Sequence, residues 1–183
     1  MNELYSNYIK KSVWVTIIAF VIRCAISWQS LIQSVSMYDL FGFAGEAIAF
    51  SAIVMTVYEK WLWKYNPFED VPVLKKQYTG KFKSNYDDSI RRFDVEIKQT
   101  LLSVRVTMKT KESNSNSISA NIVDVLGEKQ LVYYYLNTPK MEFRNRSEVH
   151  YGTAIISVEN TDIMRGRYYT DRMTCGDITF DKK

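Results

Sequence analysis

The residue types on which most enzymes and metal sites depend are scarce in this sequence. Its 183 residues include one histidine, two cysteines, seven glycines and three prolines. It contains no HExxH, CxxC or phosphate-cradling glycine motif, and the lone His150 has no second histidine with which to share a metal ion. Cys24 and Cys175 fall in different predicted modules, so they imply neither a disulfide nor a metal site. The sequence therefore favours a protein that is not an enzyme and that uses no metal or cofactor.

Charge is scarce in two stretches near the N-terminus. Residues 13–32 and 40–58 are mostly apolar, and each is long enough for a helix to cross a hydrocarbon layer of roughly 30 Å. Tryptophan and tyrosine stand at the ends of both runs, lysines flank the outer ends, and the loop between them has neither lysine nor arginine. By the positive-inside rule, this pattern predicts a transmembrane helical hairpin over residues 1–64, with both termini in the cytoplasm.

Two other interpretations of the apolar runs stay open. A cleaved signal peptide also begins with lysines and an apolar run, although Arg23 interrupts this one and a second run follows directly. A helical hairpin buried in a soluble protein could have the same composition, although these runs are long and the loop is short. The transmembrane hairpin accounts best for the two runs and their aromatic ends.

Arg23 and Glu46 lie inside the two predicted spans. In an antiparallel hairpin that turns near Val35, they are almost equally far from the turn and reach a similar depth. Charged side chains within a bilayer usually pair with each other or face protein or water. Small and polar residues accompany them at helical spacing, namely Thr16, Ala19, Ser27 and Ser30 in the first run and Gly42, Gly45, Ala49 and Ala52 in the second. We predict an Arg23–Glu46 pair, which either fixes the hairpin or belongs to faces through which several hairpins assemble.

The pattern changes after the second run. Residues 65–75 contain Pro67, Pro72 and several charges, and they predict a linker. Over residues 76–183, apolar and polar residues alternate in about eight short runs separated by turn-like stretches. This pattern predicts an all-β domain, a small antiparallel barrel of about eight strands with lipocalin-like closure, whose interior could hold one small ligand. The serine and asparagine run at 113–117 is predicted to be a hairpin loop, and His150 to be a hydrogen-bonded core residue at a strand start.

Positive charge is concentrated in the β-rich half. Residues 75–183 carry 19 basic and 14 acidic side chains, whereas residues 1–74 carry 5 basic and 6 acidic ones. This imbalance favours an anionic ligand or an anionic membrane surface. The same half is rich in tyrosine and hydroxyl residues, and aromatic rings stack on nucleobases while arginine binds phosphate oxygens. Tyrosine is also a good strand former, so a purely structural role for each tyrosine stays open.

Several stretches in both halves are similar to a known family. They are the N-terminal hairpin, "YTGKF", "IKQTLLSVRVTMKT", "LVYYYLNTP", "HYGTAIISVE" and, most specifically, "MRGRYYTDRMTCGDITF". The chain resembles the two-transmembrane, β-strand-rich effectors of bacterial CBASS antiphage systems. The resemblance implies a cytoplasmic β-barrel that senses a cyclic dinucleotide made by a partner nucleotidyltransferase (CD-NTase). It also implies that ligand binding makes the membrane segments form a homo-oligomer that disrupts the bilayer of the inner membrane, so that the infected cell dies. It implies no binding to nucleic-acid polymers.

The resemblance does not specify which side chains contact the ligand. We predict contacts from polar and aromatic residues in or beside the matching stretches: Tyr78, Thr107, Tyr135, Asn137, Arg172 and Thr174. Arg172 is the best phosphate candidate, because its planar fork can bind two phosphate oxygens. The alternative function is a membrane-anchored barrel that binds lipid or another small molecule in an apolar pocket and has no toxic activity. An enzyme and a purely structural module are more distant alternatives.

Overall fold

The computed structural model describes residues 3–30, 36–85, 89–145 and 147–183. The chain divides into two compact units, Met1–Pro67 and Phe68–Lys183. The first unit contains helices α1 (Glu3–Ser30) and α2 (Met37–Lys60) and a short 3-10 helix, Leu62–Tyr65. The second unit contains eight β-strands and a second short 3-10 helix.

Helix α2 begins with a capping box. The Ser36 side chain accepts a hydrogen bond from the Asp39 N–H at 3.2 Å, and the Asp39 carboxylate accepts one from the Ser36 N–H at 2.9 Å. These bonds satisfy N–H groups that the first turn of a helix leaves unpaired. Among the described residues, α2 is the one helix that meets the length and composition required to cross a membrane.

An ion pair joins the middle of α1 to α2. Arg23 Nε lies 2.5 Å from Glu46 Oε2, and another nitrogen of the same guanidinium donates to the Ser27 hydroxyl. The guanidinium also lies over the Phe43 ring, 4.4 Å from its centroid. Beside this pair, the two helices bury small and apolar side chains, among them Ala47 and Ser51. The pair therefore stands where the sequence predicts it, at the contact between the helices.

The β-rich unit is a closed antiparallel barrel. Its strands are β1 (Gln77–Ser84), β2 (Ile90–Gln99), β3 (Val104–Thr110), β4 (Ser113–Val125), β5 (Glu128–Pro139), β6 (His150–Ser157), β7 (Ile163–Thr170) and β8 (Cys175–Lys182). Each strand pairs with its neighbours in sequence, and β1 also pairs with β8, so that Tyr78 lies between Val95 and Lys182. The prediction of an eight-stranded closed barrel is confirmed.

Glycines allow large rings to lie inside this small barrel. Gly152 is the register partner of Tyr135, and Gly176 is the partner of Tyr168. A Cβ atom on either glycine would collide with the tyrosine ring across from it. Because a ring that lies flat against the neighbouring strand needs a residue without a side chain beneath it, these glycines position the tyrosines.

Strand β4 differs from the prediction. The run Ser113–Ser117 was expected to form a loop, but it forms the first part of β4, and the turn before it is shorter. This expectation is wrong because cross-strand pairing outweighs the weak strand propensity of serine and asparagine. Ser113 pairs with Pro139 and Asn116 with Thr107, and the register then shifts at a bulge between Ser117 and Ser119.

One end of the barrel is filled by side chains and held to the segment that precedes β1. The Gln99 side chain accepts from the Leu74 N–H at 2.9 Å and donates to the Pro72 carbonyl at 2.8 Å. The Tyr78 hydroxyl accepts from the Lys75 N–H at 2.9 Å and donates to the Thr161 carbonyl at 2.8 Å. This end is therefore closed, and Tyr78 and Leu74 belong to its core.

Candidate functional site

The opposite half of the barrel interior is an open cavity. Its volume is about 420 Å³, within the range typical of small-ligand sites. Residues near the ends of all the strands contribute to it, as do the β3–β4 and β7–β8 turns and the connection between β5 and β6. Because side chains alternate along a strand, each strand contributes every second residue.

Aromatic rings form the walls of the cavity. Tyr133 and Tyr135 lie on β5 with ring centroids 5.7 Å apart, and Phe82 meets Tyr168 edge to face at 5.4 Å. Burial raises the pKa of the Tyr133 and Tyr135 hydroxyls, so both are neutral at physiological pH. A flat heterocycle could stack on or between such rings, because every nucleobase has a π face.

Among the residues that the structure describes, the Tyr133 hydroxyl has no hydrogen-bond partner, although its side chain is buried. Nearly all buried polar groups in folded proteins are paired, and leaving one unpaired costs about 1–3 kcal/mol. Since Tyr133 also lines the cavity, a bound ligand could supply the missing partner.

Two further buried polar side chains, Ser115 and Asn137, line the cavity inside its mouth. The Ser115 hydroxyl donates to Asn137 Oδ1 at 2.8 Å, and both side chains are buried. This bond uses the carbonyl oxygen of Asn137, so its amide nitrogen is the atom that could donate to a ligand. The pair therefore supplies directional hydrogen bonding between the aromatic walls.

Basic side chains stand among the residues that line the mouth. Arg172 lies in the β7–β8 turn, where its Nη1 donates to the Ser147 hydroxyl at 3.3 Å. Arg91 lies over the Phe82 ring, and His150 Nδ1 is 3.0 Å from the Glu148 carbonyl oxygen. Arginines at the entrance to an aromatic cavity suit a ligand that carries phosphate groups beside planar rings.

The structure brings four of the six predicted ligand contacts together. Tyr135, Asn137, Arg172 and Thr174 all line the cavity, and the Thr174 hydroxyl lies 2.7 Å from that of Thr170. The other two predicted residues lie elsewhere. Tyr78 is completely buried at the closed end. Thr107 alternates with the inward-facing Val106 and Met108, and on the outer surface its hydroxyl donates to Asn116 Oδ1 at 3.2 Å.

Several cavity residues were not predicted. Tyr133 and Tyr168 line the walls, Ser115 supports Asn137, and Arg91 and His150 reach the mouth. Alternation with a period of two residues identifies one of them, since Tyr133 is two residues from Tyr135 and must face the same side. The same alternation puts Arg91 on the inner face, two residues before the buried Phe93, but it does not show that Arg91 lies at the mouth.

Two comparisons with known proteins place this site in a family. Residues 69–182 match the family model described as "Cap15, cyclic dinucleotide receptor domain". The whole chain is 30% identical over 192 residues to the CD-NTase-associated protein 15 of Staphylococcus schleiferi, which it covers to 99%. The chain belongs to the Cap15 family. This confirms the predicted relationship to CBASS effectors. In this Cap15 family member, the matched segment contains all eight strands, and so the entire cavity.

Proposed function

We propose that the cavity of the barrel binds a cyclic dinucleotide, with at least one base between the tyrosine rings and the phosphates near the mouth. The observation that carries this proposal is the arrangement of the cavity, with aromatic walls inside and arginines at the opening. Arg172 and Arg91 would bind phosphate oxygens, and Tyr133 and Asn137 would hydrogen-bond a base edge. A CD-NTase would supply the ligand, in keeping with the name of the Staphylococcus schleiferi relative.

The polar lining favours this ligand over a lipid. The alternative function, a membrane-anchored barrel for lipid or another apolar molecule, requires walls without buried polar groups. Here Ser115, Asn137 and the unpaired Tyr133 hydroxyl would each have to be desolvated against a hydrocarbon chain. Burying polar groups without partners is costly, so an acyl chain is a poor match for this interior.

We further propose that the chain acts through its helices as a membrane-disrupting effector and not as an enzyme. In this proposal α1 and α2 both span the inner membrane, with both termini and the barrel in the cytoplasm. The composition of α2 supports one span, and the Arg23–Glu46 pair supports the second, because it lies at the contact between the helices. The outward faces of both helices are apolar, as a lipid-facing surface requires.

Ligand binding would promote assembly of the helices into a homo-oligomer. Thermodynamics requires that the ligand bind the assembled state more tightly than the monomer. The assembled hairpins would then disrupt the bilayer, and the infected cell would die before the phage matures. Gly42 and Gly45 support this assembly, because the space beside each of them, where a side chain would otherwise project, is open in the single chain. Another helix could approach closely at these two positions.

Binding and its consequence can be tested separately on the full chain in detergent and in liposomes. A panel of cyclic dinucleotides is expected to include one that raises the melting temperature, because a ligand that binds the folded state stabilises it. The same compound is expected to release dye from liposomes that contain the protein. Stabilisation without dye release would refute the effector role and leave the receptor role intact, whereas no stabilisation by any compound would refute both.

A further inference from the structure

Many cations of the barrel unit have an acidic partner. The pairs are Lys75–Asp162, Lys98–Glu96, Lys129–Asp70, Arg167–Asp177, Lys182–Asp162 and Lys183–Asp94, each with a nitrogen-to-oxygen distance of 4.0 Å or less. Such pairs cancel much of the local field at the surface. The positive excess of this unit therefore resides in the cations that lack partners.

Four cations lie together on the outer face of β1, β2 and β3 and in the turn that follows β3. They are Lys81, Arg92, Lys109 and Lys111, all exposed, and within the described ranges none of them forms an ion pair. Lys81 and Arg92 are register partners, so two positive charges stand directly opposite each other. Like charges in that position destabilise a sheet, and a bound anion would remove the repulsion.

These four residues, which we call the outer basic cluster, line one groove on the outside of the barrel. The groove has a volume of about 690 Å³ and also contains the hydroxyl residues Thr79 and Thr110. Asp94 and Asp181 border it as well, but Asp94 is held by Lys183 at 3.3 Å. The groove as a whole is therefore positive, and its lysine and arginine side chains are groups that bind phosphate oxygens.

We propose that the outer basic cluster binds the phosphate-bearing headgroups of anionic membrane lipids. Three of its four cations are lysines, which are flexible point charges suited to a laterally mobile layer of headgroups. All four cations of the cluster are exposed, so their charges stand at the surface, where lipid headgroups could reach them. The chain also contains α2, a helix able to cross a membrane, and a tethered domain binds a nearby surface at high effective concentration.

The four cations of the outer basic cluster do not line the barrel cavity, although Thr110 borders both the cavity and the groove. On β2, Arg91 lines the cavity and the adjacent Arg92 lines the outer groove, because successive side chains of a strand point to opposite faces. Lipid binding at the outer groove therefore needs no cyclic dinucleotide, and it would hold one particular face of the receptor against the bilayer.

Lysine acetylation, read residue by residue by mass spectrometry, tests the proposal without a cyclic dinucleotide. The full chain is reconstituted in nanodiscs of phosphatidylcholine alone and in nanodiscs of phosphatidylcholine and phosphatidylglycerol in equal parts. Acetylation of Lys81, Lys109 and Lys111 is expected to be about threefold or more slower in the anionic discs, and to recover in high salt. Lys98, which is exposed and paired with Glu96, is expected to react equally in both.

Two charge-matched double variants complete the test. Lys81→Glu with Arg92→Glu is expected to abolish the protection of Lys109 and Lys111. Lys98→Glu with Arg105→Glu alters another directly opposed pair on the same sheet, and it is expected to leave that protection unchanged. Equal acetylation of the wild-type cluster in the two kinds of disc would overturn the proposal. So would protection by inorganic phosphate in phosphatidylcholine discs, which would assign the groove to a free anion.

Discussion

Tyr135 lies directly across from Gly152, and its ring occupies the space that a side chain on that glycine would need. Replacing Gly152 with alanine is expected to displace the ring. We expect a loss of about 1–3 kcal/mol in the free energy of unfolding, as for other overpacked interiors, together with weaker ligand binding. Thermal melts of the full chain with and without a cyclic dinucleotide measure both effects. Thr153→Ala, at the next residue, is the control, and equal behaviour of the two variants would contradict the prediction.

Removing the Tyr133 hydroxyl is expected to change the stability of the protein and its affinity for the ligand in opposite directions. Tyr133→Phe removes a buried hydroxyl that has no hydrogen-bond partner in the described part of the chain, so the unliganded protein is expected to be as stable as wild type or more stable by about 1–3 kcal/mol. Its affinity for the ligand is expected to fall, because the ligand loses a hydrogen bond. Melting temperature and titration calorimetry would show these opposite changes.

Tyr78→Phe is the matched control for that variant. The Tyr78 hydroxyl has two partners at the closed end, so its removal is expected to lower stability and leave the affinity unchanged. If both variants lost stability, Tyr133 would have a structural partner and its assignment to the ligand would fail.

Arg172 is expected to bind phosphate without supporting the fold. It is exposed and contacts Ser147 through a hydrogen bond of 3.3 Å, so Arg172→Ala should leave the melting temperature of the unliganded chain almost unchanged. Loss of a charged hydrogen bond is expected to weaken cyclic dinucleotide binding about tenfold or more. Calorimetric titration would measure this, with the exposed Arg105→Ala on the outer face as control. Wild-type affinity in the Arg172 variant would place the phosphates elsewhere.

Stability is expected to fall at alkaline pH. Burial raises the pKa of both Tyr133 and Tyr135 above the ordinary value of 10.0. A group with a raised folded-state pKa contributes stability below its unfolded pKa, and that contribution is lost as pH rises through the folded value. The melting temperature should therefore decline above about pH 10, and less steeply in Tyr133→Phe. An unchanged slope in that variant would show that other groups control the decline.

The Arg23–Glu46 pair can be tested by exchanging its charges. Arg23→Ala or Glu46→Ala leaves an unpaired charge between the helices, and we expect either variant to lose ligand-triggered dye release from liposomes. The exchanged double variant, Arg23→Glu with Glu46→Arg, restores a pair and should recover part of the release. Full activity in the double alanine variant would show that the pair is dispensable for membrane activity.

Sequence patterns predicted the barrel because alternation is a local property. In each strand with a buried face, apolar residues recur at every second position. Eight such strands with short turns are compatible with few architectures. The exception was the start of β4. Ser113 and its neighbours lack strand propensity, and their pairing with β3 and β5 depends on contacts distant in sequence.

The cavity was harder to predict than the fold. The alternation of apolar and polar residues along a strand shows which residues face inward, but it does not show how far along the barrel each one lies. Tyr78 and Tyr135 both face the interior, yet one closes the filled end and the other lines the cavity. Tyr78 is predicted to contact the ligand because it is an aromatic residue in a stretch that resembles the family, and only the lengths and stagger of the paired strands separate the two positions.

Closure of the barrel by β1 and β8 also bears on how copies of the protein can associate with one another. Within the described residues, each of the eight strands is hydrogen-bonded on both sides, so no strand offers an open edge to another chain. Open edges are the usual route by which sheets from separate molecules join and aggregate. Copies of this chain are therefore not expected to polymerise through their sheets, so any association between them would have to use side-chain surfaces or helices.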